Sequence, residues 1–177
     1  MTNIVYIACS LDGYIAGKNG TLDWLDCAPN PENSDFGFAD FMQDIDALVM
    51  GRNTFDTVAA FAGPWPYTKP VFVLSTSMSS IPEGYQDKIQ LLNGPLREVL
   101  EDLDNKGFNN LYIDGGKTIQ NFLNEDLIDK MIITTIPVLL GGGTSLFAQL
   151  RSPLFFTHVK TEILLKAMVK NTYSRKR

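Results

Sequence analysis

Two glycines set between a short apolar run and an amphipathic run constrain this chain more than any other feature. The stretch Leu111–Leu123 reads LYIDGGKTIQNFL. Leu111, Tyr112 and Ile113 have strand character, whereas Ile119, Phe122 and Leu123 recur at helical spacing. A chain that passes from strand to helix through Asp-Gly-Gly turns sharply and brings bare backbone close to whatever lies beyond. The free N–H groups and the positive dipole end of the helix then face that place. Such a place suits a phosphate or pyrophosphate. An ordinary strand–helix turn carries the same residues, so the weight falls on whether the chain repeats the arrangement.

It repeats it. The run Asp46–Met50 (DALVM) leads directly into Gly51-Arg52-Asn53-Thr54 and a helix carrying Phe55 and Val58. A third apolar run, Val71–Leu74, ends in Ser75-Thr76-Ser77. Further strands are predicted at Asn3–Ser10, Ile89–Leu92 and Leu127–Ile136, and further helices at Asp35–Asp44 and Pro95–Asn105. From Gly13 to about Asp35 the chain reads as a long loop containing Tyr14-Ile15-Ala16 and Trp24-Leu25; loops of that length are usually functional. The tail, Leu154–Tyr173, reads as a closing antiparallel hairpin. Gly141–Gly143 reads as a bulge or turn, or as a cofactor contact, and His158 as structural.

The alternation predicts one α/β domain across residues 1–177, with a mostly parallel mixed sheet, helices on both faces and a C-terminal antiparallel hairpin. Ligands of such sheets bind beyond the carboxyl ends of the strands. Arg52, Ser75, Thr76 and Gly115–Thr118 all fall at those ends. Two helix N-termini suit the charges of a pyrophosphate. An Arg among hydroxyls suits the additional 2′-phosphate of NADPH. The G-x-G-x-x-G fingerprint is absent, which excludes the usual dinucleotide fold.

Composition removes other classes. With 15 Lys+Arg against 20 Asp+Glu, the formal charge is −5, which disfavours generic nucleic-acid binding. Cys9, Cys27 and His158 have no metal-ligand spacing. No apolar run reaches membrane-spanning length and the N-terminus has no signal-peptide pattern, so a reduced, cytoplasmic protein is expected.

Several ordered motifs resemble the dihydrofolate reductase fold family, and within it the branch similar to the reductase domain of bacterial riboflavin biosynthesis. They are Ile7-Ala8 with Ile15-Ala16, MGRNTF at Met50–Phe55, VLSTS at Val73–Ser77, IDGGKTI at Ile113–Ile119 and TTIPVLLGGGTSLF at Thr134–Phe147. The resemblance implies that Gly51, Arg52, Asn53 and Thr54 hold NADPH phosphates, that Leu74, Ser75 and Thr76 hold the adenosine end, and that Gly115, Gly116, Lys117, Thr118 and Ile119 hold the pyrophosphate. It places Ala8 and Ile15 beside the nicotinamide and Thr144 in the cofactor loop. It also makes Asp35 the candidate catalytic residue, touching a heterocyclic substrate with Thr134 as its neighbour. A dimer through the tail strands is implied as well. Lys69 stands where an Arg would clamp the folate carboxylate, which argues against folate. The expected activity is hydride transfer from NADPH to a pterin, pyrimidine or similar flat ring. The rival is a nucleotide-binding sensor without turnover. Acyl or phosphoryl transfer is disfavoured because neither Gly-x-Ser-x-Gly nor a P-loop pattern occurs.

Overall fold

The computed structural model describes residues 1–26 and 29–177. Cys27, one of the two cysteines considered above, lies outside the described residues.

In chain order the elements are β1 (Thr2–Ser10), β2 (Tyr14–Ala16), two single-turn 3₁₀ helices (Lys18–Gly20 and Asp23–Asp26), α1 (Phe38–Gln43), β3 (Ala47–Gly51), α2 (Arg52–Ala59), β4 (Val71–Leu74) and β5 (Ile89–Leu92). There follow α3 (Leu96–Asn105), β6 (Asn110–Asp114), α4 (Gly116–Asn124), β7 (Lys130–Ile136), β8 (Thr144–Ser145), β9 (Phe156–Leu164) and β10 (Met168–Arg175). Eight strands form one sheet in the order β5-β4-β3-β6-β1-β7-β10-β9. All pairings from β5 to β7 are parallel, and β10 runs antiparallel to both β7 and β9. The parallel part therefore puts the ends of β1, β3, β4 and β6 along one edge.

Apolar burial explains the layers. Val5, Val49, Phe72, Leu111 and Ile113 pack under α3 and α4, through Val99, Leu103, Ile119 and Phe122. Alternate residues on the same strands, Ile4, Leu48, Met50, Val71 and Tyr112, pack on the other face with Phe55 of α2 and Phe38 and Phe41 of α1. Central strands buried on both faces must read as continuous apolar runs, and Leu48, Val49 and Met50 are fully buried in succession.

Two expectations need correction. Tyr14–Ala16 is not loop: it is β2, pairing antiparallel with β8. The pairing is possible because Gly143, at φ +136, brings its backbone against Ala16, where a Cβ would lie 2.1 Å from the Ala16 carbonyl oxygen. The expected helix at Asp35–Asp44 is shorter, Phe38–Gln43, because Phe36 and Gly37 have positive φ and break the helical path before it.

The far end of the sheet is tied by charge. Arg175 of β10 forms a two-pronged pair with Asp126, donating from Nε at 2.6 Å and from Nη2 at 2.9 Å. Arg177 pairs with Asp129. No helix among the described residues is long and apolar enough to cross a membrane.

Candidate active site

The carboxyl ends of β1, β3, β4 and β6 open into a cleft of about 1070 Å³. Its floor is made by two strand–helix junctions that interlock. A Cβ on Gly51, before α2, would lie 2.8 Å from Thr118 Oγ1 in α4. A Cβ on Gly115, before α4, would lie 2.1 Å from Thr54 Oγ1 in α2. Each helix thus sets a threonine against the other junction's glycine, and both helix N-termini open on the same space. Gly115 has φ +92, a region that favours glycine. The unpaired N–H groups of two helix starts make this an anion-binding floor.

Beyond this floor, toward β4, lies a polar corner. Arg52 Nη1 donates to Ser77 Oγ at 3.2 Å, and its Nε lies 3.4 Å from Asp56 Oδ2. Ser75 Oγ accepts from the N–H groups of Ser77 (3.2 Å) and Met78 (3.0 Å), which holds the turn after β4 in shape. Ala8, Ile15, Ala16, Leu22, Leu25, Val58, Phe61 and Tyr67 give the cleft its apolar and aromatic lining. Thr144 of β8 comes against Gly116, where a Cβ would lie 3.1 Å from its Cγ2.

Asp114 ends β6 inside this cleft. Burial pushes its carboxyl up to about 6. The Gly115 N–H, donating to Oδ1 at 2.8 Å, favours the ionised form but does not offset the desolvation. Tyr67 lines the same space, and its phenol is raised chiefly by burial and next by the Asp114 charge.

The sequence-derived candidates divide cleanly. Ala8, Ile15, Gly51, Arg52, Asn53, Thr54, Leu74, Ser75, Thr76, Gly115, Gly116, Lys117, Thr118 and Thr144 all line the cleft. Ile119 does not: it is fully buried in the core beneath α4.

Asp35 and Thr134 are not brought into the cleft either. Asp35 is exposed, and its carboxylate accepts from the N–H groups of Gly37 (2.9 Å) and Ala39 (2.7 Å). Those bonds, that to Ala39 foremost, hold its pKa below the usual carboxylate range. Thr134 is buried in the ladder between Ala8 and Lys170. The space between α1 and the sheet is filled by Tyr6 stacked on Phe41, with ring centroids 4.6 Å apart, and by Phe38 and Tyr112 edge-on. Tyr6 Oη and Lys170 Nζ each donate to the Phe36 carbonyl at 2.9 Å, fastening the chain beside Asp35 over that cluster. The carboxyl that does face the cleft, Asp114, was missed as a site residue. The signal was its place at the end of a buried strand, immediately before the glycine pair.

The sequence matches the RibD C-terminal domain over residues 2–169. The chain belongs to that family. A putative riboflavin biosynthesis protein from Shewanella sp. PV-4 is 58% identical, with all of both chains covered and a TM-score of 0.98. The deaminase/5-amino-6-(5-phosphoribosylamino)uracil reductase of Thermotoga maritima is 14% identical with a TM-score of 0.74, over 99% of this chain and 56% of that one. Dihydrofolate reductase from Enterococcus faecalis, complexed with NADP(H), is 19% identical with a TM-score of 0.69, over 99% of this chain and 97% of that one. The RibD C-terminal domain of this chain therefore has a dihydrofolate reductase-like fold.

The interlocked floor can be tested directly. Gly115→Ala adds a Cβ against Thr54 and forces alanine to a glycine conformation, a combined cost of about 2–4 kcal/mol. Adding Thr54→Ala removes the contacting hydroxyl but not the backbone strain, so the double variant should recover about 1 kcal/mol. Urea unfolding of the four proteins of that cycle measures the coupling; strictly additive effects would show that the two junctions do not touch.

Proposed function

We propose that this chain is an NADPH-dependent reductase of a flat heterocycle of pyrimidine or pterin type. The observation that carries the reading is the interlocked pair of helix N-termini, with Arg52 and the Ser75–Ser77 turn toward β4 and the Asp114 carboxyl at the end of β6. A dinucleotide fits the first part. Gly51, Gly115 and Gly116 let Thr118, Thr54, Ile15 and Thr144 close against the junctions, and the junction backbone with Asn53, Thr54, Lys117 and Thr118 would supply the donors to a pyrophosphate. Arg52, Ser75, Thr76 and Leu74 would hold the 2′-phosphate and adenosine end, and Ala8, Ile15 and Thr144 would border the nicotinamide. Bound there, the cofactor supplies a hydride.

The protein's own part is positioning and proton handling. The apolar walls exclude water from the ring. A carboxyl with a pKa of about 6 keeps its proton to higher pH than a free one, up to about that value, and can deliver it to a ring atom or carbonyl polarised by hydride arrival. Asp114 takes the role the sequence suggested for Asp35.

The free edge at β9 supports a symmetric dimer. Ile163 is 73% exposed and Val159 59% on the last strand of the sheet, and Phe155 just before that strand is exposed as well. A second copy of the chain would cover this row. Light scattering at micromolar concentration should return twice the chain mass; a monomer would contradict the dimer.

Arg52→Ala should raise the Kd for NADPH at least tenfold and change that for NADH little. This corresponds to a charge-assisted contact of roughly 1.5–3 kcal/mol. Nucleotide fluorescence titration measures both, and equal effects on the two nucleotides would refute the assignment of the 2′-phosphate.

Asp114→Asn separates stability from catalysis. The folded-state pKa is raised, so the stability tied to its proton is complete under acid conditions and is lost as pH rises from about 4 to about 6. The variant should lack that slope and gain roughly 1–3 kcal/mol near neutral pH. Its turnover should fall about 10²–10⁴-fold, without the decline above about pH 6 expected of the parent. Melting curves and pH–rate profiles on the same protein check both. An unchanged profile would remove Asp114 from the chemistry, and NADPH binding without turnover of any ring would leave nucleotide binding alone.

A further inference from the structure

The small sheet of β2 and β8 is too short to hold itself. Its ladder is Tyr14 opposite Ser145 and Ala16 opposite Thr144, and a lone pair of strands is marginal in water. The chain leading into β8 adds to the difficulty. Gly141, Gly142 and Gly143 stand in succession at φ +67, +150 and +136, conformations that suit glycine and cost much entropy to fix. Yet this small sheet is closely placed. A Cβ on Gly116, in the first turn of α4, would lie 2.9 Å from Ile15 Cδ1 and 3.1 Å from Thr144 Cγ2. Both side chains therefore rest on a helix start that forms the cleft floor.

After Thr144 the chain is held by Gln120 Nε2, which donates to the Ser145 carbonyl at 2.8 Å, and by the Leu146 N–H, which donates to the Gly13 carbonyl at 2.8 Å. Before the glycine run, the side-chain hold comes from Asp12. Ser10 Oγ and the Leu140 N–H donate to its Oδ1 at 2.6 and 3.1 Å, and the Gly141 N–H donates to its Oδ2 at 2.7 Å. Ser10 Oγ in turn accepts from the Tyr14 N–H at 2.9 Å. One carboxylate thus ties the end of β1, the start of β2 and the opening of the glycine run. Its hydrogen bonds, that from Ser10 foremost, hold its pKa below the usual carboxylate range, so the contacts are charge-assisted at neutral pH. An asparagine would turn its own N–H toward that of Leu140 or Gly141, and an alanine would leave both without this acceptor. Asp12 itself is exposed and is not among the residues lining the cleft.

Resting on the reductase reading above, in which Ile15 and Thr144 border the nicotinamide, we propose that Asp12 is a positioning residue for the cofactor: from outside the cleft it sets the wall against which the nicotinamide ring lies. It acts through Ile15 and Thr144. Its loss weakens the hold on the ring and leaves the grip on phosphates and adenosine, which other junctions supply.

The test compares the full-length protein with its Asp12→Asn and Asp12→Ala variants, using NADPH and 2′-phospho-ADP-ribose, which is that cofactor without its nicotinamide. Calorimetric titration should show the Kd for NADPH raised about tenfold in both variants, and that for the fragment changed by less than about twofold. Hydrogen exchange read by mass spectrometry should be faster by about tenfold across residues 14–16 and 140–145 and unchanged in β3 and β6. Unaltered NADPH affinity, an equal loss for both ligands, or unaltered exchange at β2 and β8 would each overturn the proposal. A parent protein that binds no NADPH would refute the reductase reading and the proposal together. That result is distinct from a parent that binds NADPH and variants that bind it equally well, which refutes the proposal alone.

Discussion

The contact on which the cleft depends is a reciprocal one between glycine and threonine. β3 and β6 are parallel neighbours, yet the helices that follow them leave on opposite faces of the sheet. Two such helices can begin side by side only if neither junction carries a side chain where the other must pass. Gly51 makes room for Thr118 and Gly115 for Thr54. With those two positions bare, the positive ends of α2 and α4 converge from above and below the sheet on one anion-sized space. Any larger residue at either glycine would push the helices apart and dilute the field they create together.

The same convergence sets the behaviour of Asp114. Its neighbour Gly115 donates to it, and helix N-termini favour negative charge. Those effects alone would depress its pKa. Removal from water outweighs them, and the carboxyl stays protonated to higher pH than a free one. The carboxylate at Asp35 has the contrary balance. It stands in solvent, accepts two backbone N–H groups and is held ionised. The two acids have the same side chain, and their surroundings fit one to store a proton and the other to fasten a turn.

That contrast marks what was legible in the sequence. The strand–glycine–helix junctions could be read because apolar runs, glycines and helical stripes are local signals. Fourteen of the cofactor-type candidates they singled out line one cleft. Ile119 was misplaced because motif membership does not say which face of a helix a residue occupies; its position on α4 turns it to the core. β2 was hidden because three residues are too few for a period, and its partner Thr144–Ser145 lies more than a hundred residues away. Chain spacing could not show that Asp35 stands outside the cleft, with Tyr6, Phe38, Phe41 and Tyr112 filling the space beneath α1. Such a cluster draws on three separate elements and exists only after they pack.

The strand order also bears on how the chain comes to be folded. β10 lies between β7 and β9, and β9 has no other partner in the sheet. During synthesis β9 emerges from the ribosome before the strand that will hold it. Until β10 arrives, the open flank of β7 and the unpaired β9 offer backbone to other nascent chains. The Arg175–Asp126 pair closes that interval, because it forms only when the end of β10 reaches the loop after α4. Slowing translation between β9 and β10 would lengthen that exposure, in a segment remote from the cleft.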